Sequence, residues 1–446
     1  MSIHDDRLTS REHDDMRDLV LAGTQSIPQA RSTRAPFVAG AVALLLIGGL
    51  TGGILTATLR EDGTTVPIAT PSPSPESDAP ASPIVYSSGF FEGDIYVVNP
   101  GSAPRRIIGS DVDALDQICP AFSPDGTRLA SGQAAGDGQS GWQSAALVIS
   151  DLDADGEPAG SVQIPLDGVG QPPCPIWSPD GQWVAFGGGT THAQLPASFD
   201  QVWLVHVDSG SARVINVNTT DIEWSADSTG LYVAGDSLRR YEIGEADLGP
   251  RIPGTQGAVA LTASPDGTSL AFERQQPGSV ERFDLVLMGT DGSDQRILAE
   301  GYTRARGIGP VWSPDGERIV FQRTCTRNCA DLSTELRQDE IVILSVAEDD
   351  PLGPMGTQTV LAPTQTTEGS EPRLWIPVTV SWAPDSSTLR FIGWELRPSG
   401  EMASGSGLLT VPVDGAAAPA VLWETPEGIG AYSAIPQNDF QTWRTR

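Results

Sequence analysis

Few side chains in this 446-residue chain combine a reactive type with a spacing that would let them act together. Arg304 and Arg306, in YTRARG, set two guanidiniums one residue apart in an otherwise acidic sequence, a pattern suited to a carboxylate or another anionic group. His192, in GGTTHAQLPASFD, is the one imidazole set in a loop-like stretch. A catalytic triad would need a nucleophile and an orienting acid that spacing alone does not locate. Trp142, Trp375 and Trp394 fall in connecting stretches where large aromatics anchor partners. The ordinary uses of these residues are loop packing and surface ion pairs.

Other reactive signatures fail on inspection. DLDADG at Asp151 begins like a calcium loop, but its twelfth position is Val162 where a bidentate Glu is required. Asp-Gly there is ordinary hairpin chemistry. No G-x-S-x-G elbow occurs, and no Gly-rich phosphate loop joins a strand to a helix. These readings predict no cofactor, no metal and no catalytic residue.

The elements that position these residues come from a repeat. CPAFSPDGTRLASG starts at Cys119, CPIWSPDGQWVAFGG at Cys174, DIEWSADSTGLYVAG at Asp221 and VALTASPDGTSLAFER at Val259. GPVWSPDGERIVFQR follows at Gly309 and VSWAPDSSTLRFIG at Val380. Pro pre-sets the second position of a type I turn, Asp bonds its own backbone, and Gly supplies positive φ on the way out. The aromatic before the turn (Phe122, Trp177, Trp224, Trp312, Trp382) is placed to wedge between neighbouring units, and the apolar run after it begins a second strand. Third and fourth strands follow, as in DQVWLVHVDSG then SARVINV. Four-stranded units at this period predict an all-β chain, a β-propeller. Residues 84–109 supply strands B, C and D of a further blade, which the C-terminal NDFQTWRTR, with Trp443, would complete. The expectation is seven blades over 84–446, with six as the alternative.

Cys119 and Cys174 each stand four residues before the Ser of their turns in consecutive units, so a bond between adjacent inner strands is expected, leaving Cys325 and Cys329 of CTRNC to close a small loop. Four cysteines allow three pairings. A zinc site is the alternative, but the pairs lack C-x-x-C spacing and only His192 and His206 share their region.

These SPDG-plus-strand units resemble the TolB-type, WD-like propeller repeats of bacterial envelope proteins, and also the non-catalytic propellers of prolyl-oligopeptidase-like enzymes. The resemblance covers residues 84–446. It implies a fold and, for periplasmic members, a protein-interaction platform; such propellers host many unrelated roles.

Ahead of the repeats, residues 36–59 include VAGAVALLLIGGLTGGILTATL, uncharged and long enough to span a hydrocarbon core of about 20 residues. Arg31 and Arg34 precede it while Glu61 and Asp62 follow, which puts residues 1–35 in the cytoplasm. The long polar start and the absence of a small-x-small site favour an uncleaved single-pass helix over a signal peptide. Residues 60–83, rich in alternating Pro and Ser, read as an extended tether. The net charge of −30, with no lysine, argues against nucleic acid or anionic lipid as a partner.

In such a blade the A–B and C–D turns lie on one face and the B–C and D–A connections on the other. Every expansion falls in the second set, where binding is expected. The leading expectation is therefore a membrane-anchored, extracytoplasmic, non-catalytic platform for an envelope protein or cell-wall ligand. The alternative is an extracellular hydrolase or lyase using the same face, for which a compact acid cluster at the channel mouth would be the sign.

Overall fold

In the computed structural model, alternating apolar and polar residues form antiparallel strands throughout the described part of the chain. The structure describes residues 84–87, 93–98, 103–109, 115–136, 142–166, 173–188, 199–304, 309–324, 339–346, 359–361, 364–366, 373–396, 402–414 and 419–424. Residues 1–83, NDFQTWRTR, His192, Arg306, Cys325 and Cys329 lie outside them. Among the described residues no helix is long and apolar enough to cross a membrane.

Seven separate sheets follow one another along the chain, one per blade. Blade 1 spans 84–108, blade 2 115–165, blade 3 176–219, blade 4 221–242, blade 5 258–303, blade 6 311–361 and blade 7 364–424. Blades 2, 3, 5 and 6 each show four strands in sequential antiparallel order. Blades 1 and 4 show three described strands, and blade 7 adds Thr364–Thr366 inside its first long strand to make five. Seven blades is therefore correct and six is not.

One apolar cluster fills each gap between neighbours. Ala121, Leu147 and Ile149 of blade 2 meet Trp177, Phe186 and Trp203 of blade 3. Val202 and Leu204 of blade 3 then meet Trp224 and Tyr241 of blade 4, and the series continues round to blade 7. Tyr86 of blade 1 packs with Ile392 and Leu408 of blade 7, while Val85 and Ile95 of blade 1 pack with Phe122 and Leu129 of blade 2. Among the described residues, these last two contacts join blade 1 to both of its neighbours.

The turn aromatics act as the sequence implies, and with added direction. Trp177 Nε1 donates to the Ala121 carbonyl at 2.9 Å, Trp224 Nε1 to Ile176 at 3.2 Å and Trp382 Nε1 to Val311 at 3.1 Å. Each acceptor directly precedes the corresponding aromatic of the blade before. A buried indole N–H needs a partner, so the bond fixes both depth and orientation of the wedge.

The turns are equally regular. In blade 2, Ser123 Oγ donates to Asp125 Oδ1 at 2.6 Å, and the same Oδ1 accepts the Thr127 amide at 3.0 Å. Gly126, Gly181, Gly267 and Gly316 leave the turn at φ between 67° and 73°. Blades 4 and 7 place Ser228 and Ser386 there instead, at φ 60° and 59°. The exception has a cause: Ser228 Oγ accepts the Asp180 amide of blade 3 at 3.0 Å, and Ser386 Oγ accepts the Asp315 amide of blade 6 at 3.1 Å. A left-handed backbone strain of about 1–2 kcal/mol is offset by a bond that ties adjacent turns.

Cys119 and Cys174 form a disulfide, with Cα atoms 4.9 Å apart, joining the inner strands of blades 2 and 3. It encloses a separation of 55 residues. Cys174→Ser should lower unfolding stability by about 2–4 kcal/mol, the usual effect of losing such a cross-link; urea titration under oxidising conditions measures this. For Ser228 the expected order of stability is wild type, then Gly, then Ala. Alanine keeps the strain and orphans the Asp180 amide, a loss of about 1–2 kcal/mol, whereas glycine removes the strain; a midpoint for Ser228→Ala above that of Ser228→Gly would refute this account.

Candidate functional site

The strongest concentration of titratable groups lies at the loop-bearing ends of blades 4, 5 and 6. Asp221 opens the inner strand of blade 4 (Asp221–Trp224), three residues before Trp224. That is the place Cys119 and Cys174 hold relative to Phe122 and Trp177. Its Oδ2 accepts the Leu261 amide of blade 5 at 2.8 Å and its Oδ1 the Ile222 amide at 2.9 Å. The position that carries a covalent tie between blades 2 and 3 thus carries a polar one between blades 4 and 5.

Glu273 stands near the outlet of the second strand of blade 5 (Ser269–Gln275) and is fully buried. Tyr302 Oη donates to its Oε1 at 2.7 Å, and Arg304 Nε lies 2.5 Å from its Oε2. Arg304 follows the outer strand of blade 5 (Arg296–Thr303), and its backbone bridges to Arg323 of blade 6. The guanidinium is therefore held between two blades. Behind it, buried Asp284 accepts Gln276 Nε2 at 2.7 Å and the Gly301 amide at 3.0 Å, with Arg274 Nη2 at 3.3 Å. Arg323 Nε pairs with Glu340 at 2.9 Å.

Burial governs the proton affinities. It pushes the Asp221 carboxyl up to about 7, against the Leu261 and Ile222 amides and the Arg304 charge, and the Glu273 charge adds to the rise. Burial also raises Glu273, with Arg304 and the Tyr302 hydroxyl pulling it back. The Tyr302 hydroxyl is driven well above its ordinary range by burial and by Glu273, so it remains a donor. A carboxyl that exchanges a proton near neutrality, beside a fixed cation and a second carboxylate, is equipped for acid–base work.

Of the residues singled out from sequence, Arg304 belongs to this cluster, engaged with Glu273 rather than presented alone. Trp375 does not serve as an exposed aromatic: it is 1% exposed, packed among Ile341, Ile343 and Phe391 between blades 6 and 7. Trp142 opens the third strand of blade 2 (Trp142–Leu152). Trp394 lies within the second strand of blade 7, paired with Ile376 and Ser406, because both flanking strands extend further than the Gly/Ser composition suggests. DLDADG is a turn in which Asp153 Oδ1 accepts the Asp155 and Glu157 amides, each at 2.9 Å.

Asp221 and Glu273 were not among the sequence candidates, although a signal existed. Counted from the repeated turn, the place of Glu273 is taken by Gly132, Gly187 and Ala234 in blades 2 to 4, and by Gln322 and Ile392 in blades 6 and 7. At Gly132 a Cβ would collide with the Pro173 carbonyl oxygen. Glutamate at a place reserved for small or neutral residues marks the blade that departs from the rule.

No family model matches the chain. A stretch of 118 residues is 31% identical to the uncharacterized peptidase YuxL of Bacillus subtilis (strain 168), covering 23% of this chain and 17% of that protein. The chain thus spans much less than two thirds of that relative. Solved structures of similar fold include TolB from Acinetobacter baumannii, at 17% identity and TM-score 0.40, covering 59% of this chain and 61% of that one. The Pseudomonas aeruginosa periplasmic gluconolactonase PpgL is 16% identical at TM-score 0.48, covering 80% and 98%. An oligogalacturonate lyase in complex with manganese is 15% identical at TM-score 0.44, covering 77% and 85%. At these identities the likeness concerns the fold alone. The chain is a seven-bladed β-propeller, of the architecture seen in TolB and in gluconolactonase-type proteins. The expectation of a non-catalytic protein is corrected by these findings. The curated relative is named a peptidase, and propellers named lactonase and lyase stand beside TolB.

Because Asp221 binds its proton more tightly folded than unfolded, the folded state carries the extra proton between about pH 4 and about pH 7. Its contribution to stability therefore falls as pH rises through that window and is level above it. Thermal melts across the window should show Asp221→Asn with a smaller loss than wild type, and parallel curves would contradict the assignment.

Proposed function

We propose that the protein is an extracytoplasmic hydrolase or lyase that acts on a glycan or peptide chain at the loop-bearing face of the propeller. The apolar segment 36–59 holds it at the membrane, and residues 60–83 give the propeller reach toward envelope substrates. The observation that carries this reading is the convergence of Asp221, Glu273, Tyr302 and Arg304 at one end of blades 4 to 6.

In this reading Asp221 is the proton-transfer group. It hands a proton to a leaving oxygen or nitrogen, or takes one from water or from a carbon beside a carboxyl group. Arg304 offsets negative charge that develops on the substrate. Glu273 and Tyr302 are positioning residues: the hydroxyl orients the carboxylate, and the carboxylate fixes the guanidinium. Capture of an envelope polymer by the surrounding loops is then the binding step of the reaction.

The test is to assay the full chain against peptidoglycan fragments, polyuronides and unstructured peptides. Asp221→Asn should lower kcat by about 10²–10⁴-fold and abolish the limb of the pH–rate profile near 7. Tyr302→Phe should have the smaller effect and should shift that limb. A turnover that Asp221→Asn leaves intact would sink this proposal.

A further inference from the structure

The rim of the ring is made by the last strand of each blade, and such a strand leaves backbone N–H and C=O groups without a ladder on its outer side. Proteins blunt these edges with charged side chains or by keeping them short. Six blades follow that rule in their last described strands. Arg105 and Arg106 guard blade 1, Arg213 blade 3, Arg239 and Arg240 blade 4, Arg296 and Glu300 blade 5, and Glu424 blade 7. The last strand of blade 6, Thr359–Leu361, is three residues long. Blade 2 departs from the rule. Its last strand, Pro158–Pro165 (PAGSVQIP), runs for eight residues without a charge. Among the described residues it is the edge of its sheet, and Val162 at its middle is 60% exposed.

We infer that this strand is a self-association site, which pairs antiparallel with the same strand of a second copy of the chain. The register follows from the ladder inside blade 2. Leu166 N–H donates to the Ala145 carbonyl at 3.0 Å. The pairing continues as Ile164 with Leu147, Val162 with Ile149 and Gly160 with Asp151. Hydrogen-bonded pairs alternate along an antiparallel ladder, so Ile164, Val162 and Gly160 turn their backbone groups inward while Ser161 and Gln163 turn theirs outward. A twofold axis at Val162 brings Ser161 opposite Gln163 of the second copy, and each such pair exchanges N–H···O bonds. Val162 then meets its own counterpart in the non-hydrogen-bonded position, with Cα atoms about 4.5 Å apart and side chains in contact. The apolar side chain left at the surface is thus the one at the symmetry centre. Charge favours the same occupant and the same direction. In a chain of net charge −30, two copies approach most easily through an uncharged strip. The antiparallel arrangement sets the acidic turns before the strand, with Asp153 and Asp155, at opposite ends of the pair, whereas a parallel one would place them side by side. One strand pair buries less than the about 1,200–2,000 Å² of a stable interface, so the dimer is reversible and weak.

Sedimentation of the full chain in detergent should show monomer and dimer in exchange, with more dimer as salt screens the acidic surfaces. Val162→Asp, which sets two carboxylates against each other at the symmetry centre, should weaken the dimer about tenfold or more. Ser161→Pro deletes an outward N–H and leaves the ladder of its own blade intact, and it should weaken the dimer about tenfold as well. Both variants should keep the wild-type melting temperature. Val162→Cys should give a covalent dimer under copper–phenanthroline oxidation, because disulfides bridge Cα atoms about 4.4–6.8 Å apart. Ala159→Cys, on the same exposed edge but about six positions out of step with its counterpart, should not. All four substitutions lie on the rim, away from the loop-bearing face, so this test stands apart from the proposed activity. A chain that stays monomeric up to about 0.5 mM, as it would if the edge served a strand of another protein, would overturn the inference. So would a dimer undiminished in both Val162→Asp and Ser161→Pro, or cross-linking of Ala159→Cys as ready as that of Val162→Cys.

Discussion

Everything in this molecule depends on the seam between adjacent blades. A single twisted sheet of three to five strands has two apolar faces and cannot cover either of them alone. Each face is covered by the next blade, through clusters such as that of Trp177, Phe186 and Trp203 against Ala121 and Leu147. At three of the wedges an indole adds direction, because Trp177, Trp224 and Trp382 each bond to a carbonyl of the preceding inner strand. Burying such a side chain contributes about 2–3 kcal/mol, and the seams recur around the whole ring. Closure follows from the same rule, with Tyr86 of blade 1 set against Ile392 and Leu408 of blade 7.

That regularity divides the two faces. On the turn face, serine and aspartate side chains lock the hairpins of blades 2 to 6, so the chain has little freedom there. On the other face the connections differ in length and composition from blade to blade. Polar residues can then penetrate the seams from that side. Asp221 ties blade 4 to blade 5 where a disulfide ties blade 2 to blade 3, and Glu273 carries a fully buried carboxylate to the same end of blade 5. A buried carboxylate is costly unless it is bonded and charge-compensated. Tyr302 and Arg304 supply both conditions, and the cost that remains appears as raised proton affinity. The chemistry and the stability of this site are therefore one balance.

The all-β class, the turns, the wedge residues and the Cys119–Cys174 pairing were legible in the sequence, because each depends on residues close in the chain or repeated at a constant period. Asp125 bonds an amide two residues away, and the apolar alternation after it needs only the strand itself. Periodicity also places Cys119 and Cys174 at equivalent points of neighbouring strands. What the sequence hid was the fate of residues that break the period. Trp375 resembles a loop aromatic until the strand Arg373–Trp382 carries it into a seam. Arg304 resembles a free cation until Glu273, 31 positions earlier in the numbering, meets it across the sheet.

The sequence alone determined that this chain must form a ring of similar sheets, since the repeated turn and the apolar runs allow no other way to bury both faces of every sheet. Only the tertiary structure decided which exceptions to the repeat come together. Asp221 opens the first strand of blade 4, Glu273 lies in the second strand of blade 5 and Arg304 follows its fourth, and they become neighbours because the seam brings the same end of each blade to one place. Their proton affinities then follow from burial and from a fixed charge, quantities that exist only once the blades are packed.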